Sequence, residues 1–116
     1  MKRVTMIVVA LALLVPLTII AQTTTMTQSY TWVAPTTGSP VHHYEIEKST
    51  DNGATWVAVG TVTTNAASLT FPVLVTVVVR VRAVDASNRA GIWSPVSDPY
   101  LPDPGPPGAC GKPSRV

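Results

Sequence analysis

The chain has 116 residues, with eight basic side chains, six acidic ones and a single cysteine. That length admits one domain, and a lone Cys110 excludes an intramolecular disulfide, so the fold must rest on its apolar core. Without Lys2 and Arg3, which read as part of a targeting segment, the eight basic residues become six against six acidic ones. No basic stripe remains to hold a phosphate backbone, which excludes nucleic-acid binding as a function class.

Residues 1–21 come first and stand apart from the rest. Met1-Lys2-Arg3 is a basic start, Val4–Ile20 is broken only by Thr5, Pro16 and Thr18, and small Ala21 closes the run. Basic start, apolar centre and small residue at the end are the layout of a secretory signal helix. A spanning helix needs about 20 apolar residues, so an uncleaved anchor is the alternative, and the only membrane contact expected is through this segment. Either way the chain is expected to be exported: secreted, periplasmic or held at the cell surface.

From residue 28 to 98 the pattern is all β. Runs rich in Val, Thr, Ile and aromatics fall at Gln28–Val33, Val41–Ser49, Thr55–Val62, Ser68–Phe71 and Val75–Val84, with a last, proline-interrupted one near Trp93–Ser97. Turn chemistry separates them at residues 35–40, 51–53, 63–67 and 85–91. Short strands at this spacing predict a sandwich or small barrel. Alternation gives each strand two faces. Tyr44 and Ile46 share one, Glu45 and Glu47 the other; Val77, Val79, Val81 and Ala83 oppose Val78, Arg80, Arg82 and Val84. If these two strands are neighbours, the glutamates face the arginines across a solvated sheet face and help to set register. From Pro99 onward lie six of the eleven prolines, and residues 102–116 are expected to form an extended, disordered tail.

Several of these runs resemble a fibronectin type III domain. Trp32-Val33-Ala34-Pro35 is similar to the family's second strand and its following proline. Tyr44-Glu45-Ile46 resembles the third, Leu69 the fifth-strand leucine, Val79–Asp85 the sixth, and Gly91-Ile92-Trp93-Ser94-Pro95 the approach to the seventh. The resemblance covers residues 27–101. It implies an all-β, immunoglobulin-like β-sandwich over residues 22–101, with Tyr30, Trp32, Tyr44, Ile46, Leu69, Val79, Val81 and Ala83 in its core. The chain departs from the family at one corner, where Val77 stands in place of a tyrosine and Leu74 in place of a glycine. Only ten residues, Gln22 to Thr31, precede Trp32, so the first strand is expected to be short or missing, leaving an exposed edge and low stability.

Ser49-Thr50-Asp51-Asn52-Gly53-Ala54-Thr55-Trp56 matches the Asp-box pattern S-x-D-x-G-x-T-W, which resembles the hairpins of sialidase-type propellers. Its physics is local: Asp51 can accept N–H groups across the turn, Gly53 permits a positive φ, and Trp56 can fold back over the hairpin. One copy cannot build a propeller. His42-His43 is the only histidine cluster, and adjacent residues of a regular strand face opposite ways, so no metal site is expected from it. No nucleophile motif or phosphate loop is present, and neither catalytic residues nor a cofactor are expected. Trp56 and Trp93 are the candidates for a binding surface, since an exposed indole stacks on sugars or anchors proteins. The resulting expectation is a non-catalytic binding, adhesion or spacer module whose partner is a protein or a carbohydrate. The alternative is a remnant of an Asp-box glycoside hydrolase. A monomer is expected, with Cys110 the one group able to link two copies.

Overall fold

The computed structural model describes residues 24–115; the predicted signal segment, residues 1–21, lies outside them. Five strands follow in order: β1 (Thr25–Thr31), β2 (His43–Ser49), β3 (Val57–Val62), β4 (Ala66–Pro72) and β5 (Val78–Val84). They form two antiparallel sheets, β1-β4 and β3-β2-β5, and there is no helix among the described residues.

One apolar layer joins the sheets. Ile46 from β2, Leu69 and Phe71 from β4, and Val77 and Val79 at β5 are buried together, with Tyr30, Trp32, Val62, Ala67, Val81 and Tyr100 packed against them. Tyr44 is buried as well, and Ala83 is half-buried. Aromatic edges lock the layer: Trp32 meets Tyr44 at 5.3 Å and Tyr30 meets Phe71 at 6.3 Å, both edge to face. A side chain as buried as Phe71 contributes about 1.5–3 kcal/mol, so this small cluster carries most of the folding energy that the missing disulfide cannot supply.

The strand bounds differ from those expected at both ends of the chain. β1 begins three residues before Gln28, because the Thr/Ser alternation there pairs with β4: Thr27 with Thr70 and Ser29 with Ser68, hydroxyl to hydroxyl at 3.1 Å. Such cross-strand hydroxyl pairs favour a sheet in residues that hydrophobicity alone passes over. The run expected to begin at Val75 enters a strand only at Val78. Leu74 explains the delay, since it sits at φ +63°, a left-handed conformation that breaks the strand.

The last run, Trp93–Ser97, is not a regular strand. Gly91, Ser94, Ser97 and Tyr100 donate their N–H groups to Ala83, Val81, Val79 and Val77 in turn, at 2.8–2.9 Å. Three residues of this segment therefore match two of β5, a spacing set by Pro95 and Pro99, which cannot donate. Serine hydroxyls restore the lost half of the ladder. Ser94 Oγ accepts the N–H of Val81 at 3.1 Å, and Ser97 Oγ that of Val79 at 2.9 Å.

The ordered packing also runs one residue into the expected tail. Pro102 is buried and its carbonyl accepts the N–H of Leu74 at 2.7 Å; residues 103–115 beyond it are exposed.

Leu74 is 66% exposed, so its side chain gains little from burial while its backbone pays about 1–2 kcal/mol for the left-handed conformation. Glycine there removes that cost and adds about 0.5–1 kcal/mol of unfolded-state entropy to be lost. Leu74→Gly should therefore stabilise the domain by roughly 0.5–1 kcal/mol, read as a higher midpoint in urea; an unchanged midpoint would mean that the exposed side chain offsets its backbone.

Candidate functional site

Two features of the surface are candidates: the outer face of the β2–β5 pair and a groove beside β1. The register of β2 against β5 creates the first. Glu45 lies opposite Arg82, and Glu47 opposite Arg80. Arg80 donates to Glu47 Oε1 through both Nε (3.1 Å) and a terminal nitrogen (2.7 Å), and Arg82 Nε donates to Glu45 at 3.1 Å.

The neighbouring pairs form as the alternation predicts, but the face is not the open solvated one expected. Two tryptophans roof it. The Arg80 guanidinium lies 4.1 Å from the Trp56 ring centroid and 4.3 Å from that of Trp93, and the Arg82 guanidinium lies 4.4 Å from Trp93. The result is a stack in the order Trp56, Arg80, Trp93, Arg82. Arg80 and Glu47 keep only about a quarter of their surface, which raises both stacking and pairing above the values of exposed groups. Trp93 thus lies within 4.4 Å of two guanidinium groups, Arg80 and Arg82.

Trp56 reaches this stack because of the hairpin before it. Ser49 is buried; its hydroxyl donates to Asp51 Oδ1 at 2.6 Å and accepts the Gly53 N–H at 2.8 Å. Asp51 Oδ1 also accepts the Thr55 N–H at 2.9 Å, and its other oxygen accepts the Thr55 hydroxyl. Asn52 and Gly53 both take positive φ, +59° and +90°, and the Trp56 ring comes back to within 3.7 Å of where a Cβ on Gly53 would stand. The Ser49 and Thr55 hydrogen bonds hold the Asp51 carboxyl at a pKa of about 2. The eight-residue motif thus builds a turn and aims an indole, a job of positioning.

At the opposite end a second carboxylate ties two loops. Asp85 accepts the N–H groups of Ser87 and Arg89 and the Arg89 Nε, and Arg89 in turn donates to Ser39 at 3.0 Å. The Arg89 backbone N–H is the main cause of its lowered pKa. Here too the structure departs from expectation at His42-His43. His42 precedes β2, so strict alternation does not govern it, and the two Nδ1 atoms stand 2.9 Å apart on the same side.

The second feature is lined largely by residues that the sequence assigns to the core and not to a binding surface. Among the described residues β1 pairs only with β4, and a groove opens along its other side. Two adjoining hollows, of about 390 and 380 Å³, share Tyr30 and Ser97. Residues 28–33 form one wall and residues 94–100 the other, over a floor of Ile46, Leu69 and Val79. Two buried polar atoms of its β1 wall, the Tyr30 hydroxyl and Trp32 Nε1, have no hydrogen-bond partner among the described residues. Burial, then the neighbouring Tyr100, raises the Tyr30 pKa. The only sequence signal for this groove was the shortage of residues ahead of Trp32.

No cluster of three or more metal-ligating side chains occurs among the described residues. Neither a protein-family model nor a curated protein matches the chain, so the site's geometry carries the functional reading.

Two measurements test the stack and its hairpin. Lysine keeps the charge of Arg80 but cannot lie flat between two rings or donate twice to Glu47, so Arg80→Lys should cost about 1–2 kcal/mol in denaturant unfolding. Arg82→Lys, with one ring and one hydrogen bond, should cost less than half of that. For Asp51 the folded pKa is depressed, so its contribution is complete above the unfolded value of about 3.9 and is lost as pH falls through about 2. Carboxyl carbon shifts should show Asp51 titrating near pH 2, and wild type should lose its stability margin over Asp51→Asn only between about pH 4 and 2.

Proposed function

We propose that the chain is an exported, non-catalytic binding or adhesion module of the fibronectin type III kind, a β-sandwich whose first strand is short or missing, and that it binds by accepting an extended peptide beside β1. The observation that carries this reading is that, among the described residues, β1 pairs only with β4 and an apolar groove runs along its other side. Alternate N–H and C=O groups on such an edge are a template for one more strand, and main-chain hydrogen bonds with side-chain pockets are the usual terms of strand addition. Thr25–Thr31 carries no charge and no proline, the devices that normally keep an edge from pairing. The groove adds only Arg80, already paired with Glu47, and Asp98.

The partner this chemistry fits is an uncharged extended segment of about six residues with apolar side chains at alternate positions. Trp56 and Trp93 then hold the framework and do not touch the ligand. The family assignment is supported by the order of the strand motifs and by two antiparallel sheets sharing one core. Export is supported by the basic-then-apolar start of the sequence.

The test uses isotope-labelled protein and peptides selected from a random phage-displayed library. Selected peptides should be uncharged and alternating, and their amide shifts should cluster at residues 28–33 and 94–100. Shifts centred on Trp56 and Trp93, with a saccharide panel binding in place of peptides, would overturn the proposal. Mass spectrometry of the exported product should find its N-terminus at Gln22.

A further inference from the structure

Asn52-Gly53 is the one asparagine–glycine pair in the chain, and Asn52 is exposed at the tip of the hairpin that aims Trp56. In a flexible chain such a pair loses ammonia readily, because a glycine nitrogen reaches the preceding carboxamide with no side chain of its own in the way. This hairpin withholds both things the reaction needs. The Gly53 N–H is donated to Ser49 Oγ at 2.8 Å. That oxygen belongs to a residue only 2% exposed and is tied in turn to Asp51 at 2.6 Å. Asn52 also stands at φ +59°, in the left-handed backbone, where the following nitrogen lies nearly anti to Cβ. Ring closure needs the two eclipsed.

We infer that Asn52-Gly53 is a latent site of deamidation, shut while Ser49 holds the Gly53 N–H, and that its conversion to isoaspartate releases Trp56 from the stack. When the hairpin opens, hydroxide takes the freed N–H proton and the Gly53 nitrogen attacks Asn52 Cγ. The new C–N bond forms as the Cγ–Nδ2 bond breaks, and Nδ2 leaves as ammonia with a proton from water, which restores the hydroxide. Water then opens the five-membered imide at either carbonyl. Opening at the former backbone carbonyl routes the main chain through Cβ and Cγ and leaves a free carboxylate.

The product cannot rebuild the turn. Its main chain is one carbon longer, and its new carboxylate stands next to Asp51, whose own carboxyl must keep Ser49 and Thr55. Trp56 reaches the Arg80 guanidinium at 4.1 Å only through the spacing that this turn sets. The step runs one way, so the hairpin records each time it has opened for long enough. Asn65 and Asn88 are followed by Ala66 and Arg89, whose side chains crowd the attacking nitrogen, and they serve as internal references. The inference is independent of the groove and of any peptide bound there.

The experiment incubates the full chain at mildly alkaline pH, folded in buffer and unfolded in guanidinium chloride, and follows the peptides bearing Asn52, Asn65 and Asn88 by mass spectrometry. Asn52 should convert roughly tenfold or more slowly in the folded chain, because the reaction passes only through the open hairpin. Ser49→Ala and Thr55→Val, incubated below their melting transitions, should convert several-fold faster than folded wild type. Thr55→Val keeps the buried Ser49 and removes only a hydroxyl that donates to Asp51, so it decides the matter should Ser49→Ala fail to fold. Converted protein, separated by its added charge, should melt lower and emit tryptophan fluorescence at longer wavelength. Equal rates in the folded and unfolded chain, or a folded Thr55→Val no faster than wild type, would overturn the inference. A converted protein with the melt and emission of the parent would overturn it equally.

Discussion

The register of β5 against β2 is the constraint on which the rest of the structure depends. It sets Ile46 beside Val81 on the core side and, on the other, Glu47 beside Arg80 and Glu45 beside Arg82. A slip of one residue would carry the arginines into the apolar layer and bring the valines out. Burying unpaired guanidinium groups costs far more than the slip could return. The same register holds Arg80 where Trp56 and Trp93 can close on it from two different segments. The hairpin and the proline-laced segment 91–100 are thus both indexed to one pair of strands.

That dependence explains why the last segment needs no regular strand. Its hydrogen bonds to β5 are supplied alternately by backbone and by serine hydroxyls, and Trp93 anchors it from the outer side. The prolines remove donors that a ladder would use. They also leave the segment unable to recruit further strands on its far side. β1 is built the other way, with Thr and Ser facing out and no charge, and among the described residues its side away from β4 faces the groove. The two walls of the groove are therefore unequal, one a charge-free strand and the other a proline-interrupted segment.

Much of this was legible in the sequence, for reasons specific to each element. The alternation in His43–Ser49 showed the buried Tyr44 and Ile46, and together with that in Val78–Val84 it showed the charge pairs. Burial in β5 does not alternate, and Val78 and Val84 on the arginine face are buried as well. The turn at Asp51-Asn52-Gly53 was legible because its residues act on their own backbone. Less could be read where a residue depends on what lies across from it. Thr25 and Thr27 belong to a strand only because Pro72 and Thr70 face them. The delay of β5 to Val78 turns on Leu74, whose positive φ no leucine advertises. His42 shows the limit of a periodicity rule, which holds only inside the strand and fails one residue before it begins.

The tryptophans mark the same boundary for function. Sequence shows an indole at the start of a strand-like run just after a turn, a place from which it can offer a binding surface. What decides the matter is whether its faces are free, and that is a property of residues 24 and 13 positions away, Arg80 for Trp56 and for Trp93. The groove is the converse case. It is made of Tyr30, Trp32, Ile46 and Leu69, residues that any reading assigns to the core, and it exists because no strand lies on the far side of β1 among the described residues. A groove of this kind is the exposed side of a core. It is written in what the pattern of strands leaves uncovered, and the polar atoms stranded at Tyr30 and Trp32 mark where the packing of that core stops short of satisfying its own groups.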